Sequence, residues 1–217
     1  MTKSEPPERP IDRVLQGRHN AQDLDDLIGY FSRGHSVAPL SALLTDTAGA
    51  AIADGLYVLS ELGKQGWPLA AEAAKFVDHE DEDVRFFAIA CVAAAPFAVG
   101  AKGIANALRC LADQSKRVRW RAIALCAVLE DKVLKDVLTC FEGSEPDAGH
   151  RRWLSLLSDL CVQQESDIEA GIRSPKQIDR SYGVAAAARL VRTGERLAKI
   201  ASNSGDAAVS EFAQHLR

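Results

Sequence analysis

The 217-residue sequence predicts an all-α chain in which antiparallel helix pairs stack into a solenoid. Three observations carry that expectation. Aromatic residues make up only 6% of a chain that is 47% hydrophobic and rich in Ala and Leu, a balance that leans away from strands and towards helices. No stretch alternates with period 2 for long enough to make a strand, whereas apolar residues recur at helical spacing. Two segments also repeat at a separation of 34 residues: Asp83-Val84-Arg85-Phe86-Phe87-Ala88-Ile89-Ala90 and Arg117-Val118-Arg119-Trp120-Arg121-Ala122-Ile123-Ala124.

In chain order, residues 1–20 open on the polar, Pro-rich run Met1 to Pro10 and are expected to form a tail, partly disordered. Residues 21–217 are expected to form a single solenoid domain. Apolar periodicity places helices near 21–32, 38–45, 49–63, 68–77, 82–98, 101–112, 116–128, 131–141, 148–164 and 166–172, then a long one over 178–203 and a last one over 206–216. The breaks carry turn chemistry: Arg33-Gly34-His35-Ser36, Gly63-Lys64-Gln65-Gly66, Gly100, Glu142 to Pro146, Ser174-Pro175, and Ser202-Asn203-Ser204-Gly205. Pro96 is expected to bend or end the helix over 82–98. Short loops between consecutive helices make them antiparallel neighbours.

The repeated segments explain themselves physically. Val84/Ala88/Cys91/Val92 and Val118/Ala122/Leu125/Cys126/Leu129 each draw one apolar stripe, and the small Ala88 and Ala122 allow a partner helix to approach closely. Asp81, Asp83 and Ser115 lie where an N-cap or a first-turn acid opposes the helix dipole. A third echo, Asp206-Ala207-Ala208-Val209-Ser210-Glu211-Phe212-Ala213, keeps the V-x-x-x-A spacing but lacks the Arg.

A loop Asp followed by V-R-x-x-A at the start of a helix resembles the HEAT repeat and its bacterial HEAT-like relatives, over residues 78–131. The resemblance implies a right-handed α-solenoid of antiparallel HEAT-like helix pairs, about ten to twelve helices in all. It specifies architecture and is almost silent on function, because the superfamily spans adaptors, inhibitors, lyases and glycosylases.

Catalytic constellations are missing from the sequence. His19, His35, His79, His150 and His215 are scattered without an i, i+4 partner, and there is no H-E-x-x-H. His79-Glu80 is a single His-Glu pair, whereas deoxyhypusine hydroxylase, a HEAT-repeat metalloenzyme, uses several. Phosphate-loop, dinucleotide and nucleophile-elbow patterns do not occur. Cys91, Cys110, Cys126, Cys140 and Cys161 are odd in number and unpaired in spacing, which predicts reduced, mostly buried thiols. The expectation is a non-enzyme without cofactor or metal. With no export signal or membrane span in view, it is also a cytoplasmic protein.

Three surface features suit binding. The acidic run Asp78-His79-Glu80-Asp81-Glu82-Asp83 is either a solvated capping loop or an electronegative patch for a basic partner, which Asp23, Asp25 and Asp26 would extend. The basic–aromatic run Lys116, Arg117, Trp120 and Arg121, continued by Arg152 and Trp153, is either an exposed anchor or the seam between repeats. Arg189, Arg192, Arg196 and Lys199, spaced i, i+3, i+7, i+10 along the long helix, make a basic stripe down one face, which is either a solvated face or a track for a phosphate backbone. Net charge is −4 overall, but residues 1–100 hold 8 Lys/Arg against 15 Asp/Glu and residues 101–217 hold 18 against 15. Together with the resemblance, this split leads to a protein-binding expectation. The chain reads as an inhibitor or immunity protein neutralising a cognate bacterial toxin, with a basic nuclease domain as the partner type. The alternative is a HEAT-like nucleic-acid binder similar to DNA glycosylases, against which the pI near 5.8 counts.

Overall fold

The computed structural model describes residues 10–45, 49–141, 145–159, 164–190 and 194–216, and all regular structure among them is helical. The chain divides into two compact units, Met1–Ala98 and Val99–Arg217.

The first unit begins with α1 (Pro10–Leu15) and α2 (Ala21–Ser32). Helix α1 falls inside the stretch expected to be a tail. Pro10 occupies its first position, where the missing N–H costs nothing, and Ile11 and Val14 are buried. Asn20 caps α2 in a reciprocal box with Asp23, whose carboxylate also receives Arg13 Nε at 3.0 Å. Asp23 is therefore buried, and the Arg13 hydrogen bond holds its carboxyl below the usual range, so it adds nothing to a surface patch. A 3-10 helix (Ala38–Thr45) and α3 (Gly49–Glu61) follow. Gly55 lets these two meet, since a Cβ there would lie 2.8 Å from Leu43 Cβ. Another 3-10 turn (Gly63–Leu69) spans the expected Gly63–Gly66 break, followed by α4 (Ala70–Ala73) and a short 3-10 turn (Ala74–Phe76). Helix α5 (Glu82–Ala94) packs along α3, burying Ala88, Ile89 and Val92 with Leu56, Val58 and Leu59. It stops at Ala95, one residue before Pro96, and so falls short of the expected 98.

Helix α6 (Pro96–Arg109) is broken at Gly100, whose φ of 75° suits glycine. A 3-10 turn (Cys110–Ala112) leads into α7 (Lys116–Val128), α8 (Asp131–Leu138), α9 (Glu145–Ser158), α10 (Glu165–Ile172), α11 (Gln177–Arg189), α12 (Gly194–Ser202) and α13 (Ala207–Gln214). Helix α11 is the centre of the second unit. It packs on α7, α10 and α12, and Ser181 to Ala187 are all buried. The single helix expected over 178–203 is instead α11 and α12, with Leu190 extended between them at φ −91° and ψ 113°. Val191, Thr193 and Gly194 are poor helix formers, which the apolar periodicity of the segment masked.

The internal repeat is a hydrogen-bonding unit. Arg85 Nη1 donates to the carbonyls of His79 and Glu80, each at 2.8 Å. Arg119 Nη1 does the same with Asp113 (2.8 Å) and Gln114 (3.0 Å). Arg180 repeats it with Ser174 (3.0 Å) and Pro175 (2.8 Å). In each case the arginine reaches back to carbonyls five and six residues earlier and ties its helix to the preceding loop. The third member was not evident in the sequence because Asp179 stands where the other copies have Val84 and Val118.

Candidate protein-binding surface

The acidic loop owes its shape to that unit. Asp81 caps α5, accepting the N–H groups of Asp83 at 2.8 Å and Val84 at 3.2 Å. His79 Nδ1 accepts the Asp81 N–H at 3.0 Å, and Arg85 holds the two carbonyls between. Asp78, Glu80, Asp81, Glu82 and Asp83 are all exposed on this pinned backbone, and Asp81 also serves the helix as its cap. Asp25 and Asp26 are exposed on α2, which packs on α1 and α3.

Of the two alternatives for the basic–aromatic segment, Trp120 takes the seam. Lys116 and Arg117 are exposed in the first turn of α7. Trp120 is half-buried, its ring 6.1 Å from Phe212 and 5.8 Å from His215 of α13, which makes it the seam between two helices. Arg121 lies over that ring at 5.5 Å. Trp153 corrects the expectation of a surface anchor, because it is only 1% exposed. It stacks on Tyr182 with centroids 6.1 Å apart, donates Nε1–H to Asp179 Oδ1 at 2.7 Å, and lies where a Cβ on Gly171 would come within 2.3 Å of it. Its neighbour Arg152 is exposed, with the guanidinium 5.7 Å from the Trp153 ring centroid.

The basic stripe expected on one helix is divided between α11 and α12, and Arg189 and Arg196 serve the fold. Arg189 donates to the carbonyls of Cys126 (3.5 Å), Ala127 (3.4 Å) and Leu129 at the end of α7, where a cation suits the helix dipole, and it also pairs with Asp131. Arg196 binds Glu165 and Glu169, and Arg173 binds Glu169. Arg192 lies outside the described residues. A basin of about 860 Å³ lined by Arg173, Arg180, Arg196 and Lys199 is thus largely neutralised from within.

Asp206, the first residue of the third echo in the sequence, is a buried carboxylate with two cationic partners. Its carboxylate receives Arg119 at 3.2 Å and Arg180 at 3.1 Å, and caps α13 through the N–H groups of Ala208 (3.1 Å) and Val209 (3.4 Å). Burial pushes its carboxyl upward, but the two arginines and the backbone donors outweigh it and hold the group below the ordinary value. Asp206 thereby cross-links the second and third repeat arginines to the start of α13. Elsewhere in the unit, His150 is buried beside Tyr182 at 2.9 Å, and burial lowers its pKa to about 4. Cys91, Cys110 and Cys126 are buried thiols and Cys140 is half-buried; Cys161 lies outside the described residues. Among the described residues no group of three His, Cys, Asp or Glu could hold a metal ion, and no helix is long and apolar enough to cross a membrane.

No family model matches the chain, and no curated protein matches it significantly. Solved structures do. A designed armadillo repeat protein is 14% identical, with a TM-score of 0.50 over 96% of this chain and 98% of that one. Two engineered proteins, each 13% identical over 96% of this chain, give TM-scores of 0.54 over 95% of theirs and 0.51 over 88%. The chain has the all-helical repeat fold of an α-solenoid.

Proposed function

We propose that the chain is a non-catalytic, HEAT-like protein-binding module that neutralises a basic toxin domain, such as a nuclease, by direct contact. The acidic loop at the start of α5 carries the reading. It presents exposed carboxylates from Asp78, Glu80, Glu82 and Asp83 on a backbone already tied down by Arg85. Preorganised charge steers encounter and loses little conformational entropy on docking. The nucleic-acid alternative is weakened by the internal pairing of Arg109, Arg119, Arg173, Arg180, Arg189 and Arg196 with carboxylates of the same unit. A phosphate backbone needs unpaired cations.

The test is affinity capture by the full chain from lysate before and after nuclease treatment, beside an Asp78→Lys/Glu80→Lys/Glu82→Lys variant that keeps the Asp81 cap. The expected result is a basic protein recovered in near-equal amount by the wild type and at least about tenfold less by the variant. Recovery of nucleic acid alone, before nuclease treatment, would overturn the proposal.

A further inference from the structure

We infer that the first unit carries a separate recognition element, an apolar cleft that takes a bulky apolar side chain from a partner segment flanked by Lys or Arg. This deepens the protein-binding reading and rests on it for the existence of a biological partner, while using residues remote in sequence from 78–83.

The cleft lies among α1, α2 and the 3-10 helix Ala38–Thr45 and holds about 490 Å³. That volume falls within the range of ligand sites, about 300–1,000 Å³, and so does its make-up of mainly apolar lining with a few polar groups. Ile11, Leu15, Tyr30 and Pro39 supply apolar wall, and Asp25 and Asp26 stand at its exposed edge. Tyr30 is 44% exposed, one of three large apolar side chains among the described residues that are exposed. Its ring is nevertheless held, stacked on His35 at 3.9 Å and edge-on to Phe31 at 5.2 Å. A fixed aromatic wall beside an open apolar space is the form of a hot-spot pocket.

The acids select the occupant. Asp26 accepts one hydrogen bond from Gln22 at 3.1 Å, and neither Asp25 nor Asp26 pairs with a cation among the described residues. Among the described residues of the lining, Arg33 is the single cation, and Asp12 is a further acid. A segment with an apolar anchor between basic residues satisfies both the wall and the edge. Anionic lipid or nucleic acid is repelled, and self-association sets the acidic residues 1–100 against one another.

The probe is the peptide acetyl-Lys-Lys-Leu-Phe-Lys-Lys-amide, titrated into the 15N-labelled full chain and followed by heteronuclear correlation spectra. Controls replace Lys by Glu, or Leu-Phe by Ser-Ser. We expect saturable shifts at Ile11, Leu15, Tyr30 and Ala42 with the first peptide only. Binding falls at least about tenfold in Asp25→Lys/Asp26→Lys and is lost in Ala42→Trp, which fills the cleft from an exposed position. Equal binding of the Ser-Ser peptide, or shifts confined to other residues, would overturn the inference. So would shifts that grow with protein concentration alone, which would mark a second copy, or binding of a peptide of residues 1–9 in place of the probe. Peptide binding here does not involve residues 78–83. Failure would leave the acidic-loop reading standing, and failed capture with the peptide bound would leave the cleft.

Discussion

Replacing Asp206 by Ala removes the group that joins three elements of the second unit. Its side chain is 3% exposed, against 10% for Arg119 and 21% for Arg180, so both guanidinium groups lose their carboxylate in a mostly dry setting. Taking one partner from a buried pair costs about 3–5 kcal/mol, and loss of an N-cap adds about 1 kcal/mol. Both arginines keep their loop carbonyls, which places the expected loss near the lower end, about 4 kcal/mol. At about 2–4 °C per kcal/mol for a chain of this size, the melting temperature falls by roughly 8–16 °C. The assay is urea and thermal unfolding by tryptophan fluorescence in a Trp67→Phe background, where Trp120 and Trp153 report the second unit. Asp206→Asn keeps the capping oxygen and is expected to lose about half as much. A loss below about 1 kcal/mol for Asp206→Ala would refute the idea that this carboxylate is a structural hub.

Other outcomes follow from the same packing. His150, whose pKa is lowered to about 4 by burial, refuses a proton that the unfolded chain accepts near 6.5. Its contribution is therefore complete above pH 6.5, declines as pH falls towards 4, and amounts to about 2 kcal/mol between pH 7 and pH 5. Urea midpoints at those two pH values should converge in His150→Gln, and an unchanged pH slope would count against the assignment. Gly171→Ala forces a Cβ against the Trp153 indole and should cost about 1–3 kcal/mol, although Ala is the better helix former. Unfolding curves would show this. Burial pushes the Cys126 thiol up to about 12, so alkylation at pH 8 should label Cys140 long before Cys126, as read by peptide mass spectrometry.

Elements with local punctuation were legible in the sequence. Asp81 and Ser115 mark the starts of α5 and α7, and Asp206 marks that of α13, because a cap is written within four residues. Features made by convergence were not. Trp153 sits beside Arg151 and Arg152 in sequence, yet adjacent helical residues face different directions, and its slot exists only because Gly171 is small. The third repeat was hidden by Asp179, whose carboxylate turns inward to Trp153 and to Ser174 Oγ at 2.8 Å. Helix α1 has six residues and two buried side chains, too few for a periodic signal. The cleft beside Tyr30 needs three elements to meet, and no one segment encodes it.

The central claim is that an acidic, pinned loop docks a basic protein. Its most direct test is calorimetric titration of the captured partner, once purified, into the wild type and the Asp78→Lys/Glu80→Lys/Glu82→Lys variant, with the partner's own activity followed in parallel. The expected result is a stoichiometric complex that silences the partner and weakens at least about tenfold in the variant, a difference that salt diminishes. Equal affinity for both chains, or a complex that leaves the partner fully active, would contradict it.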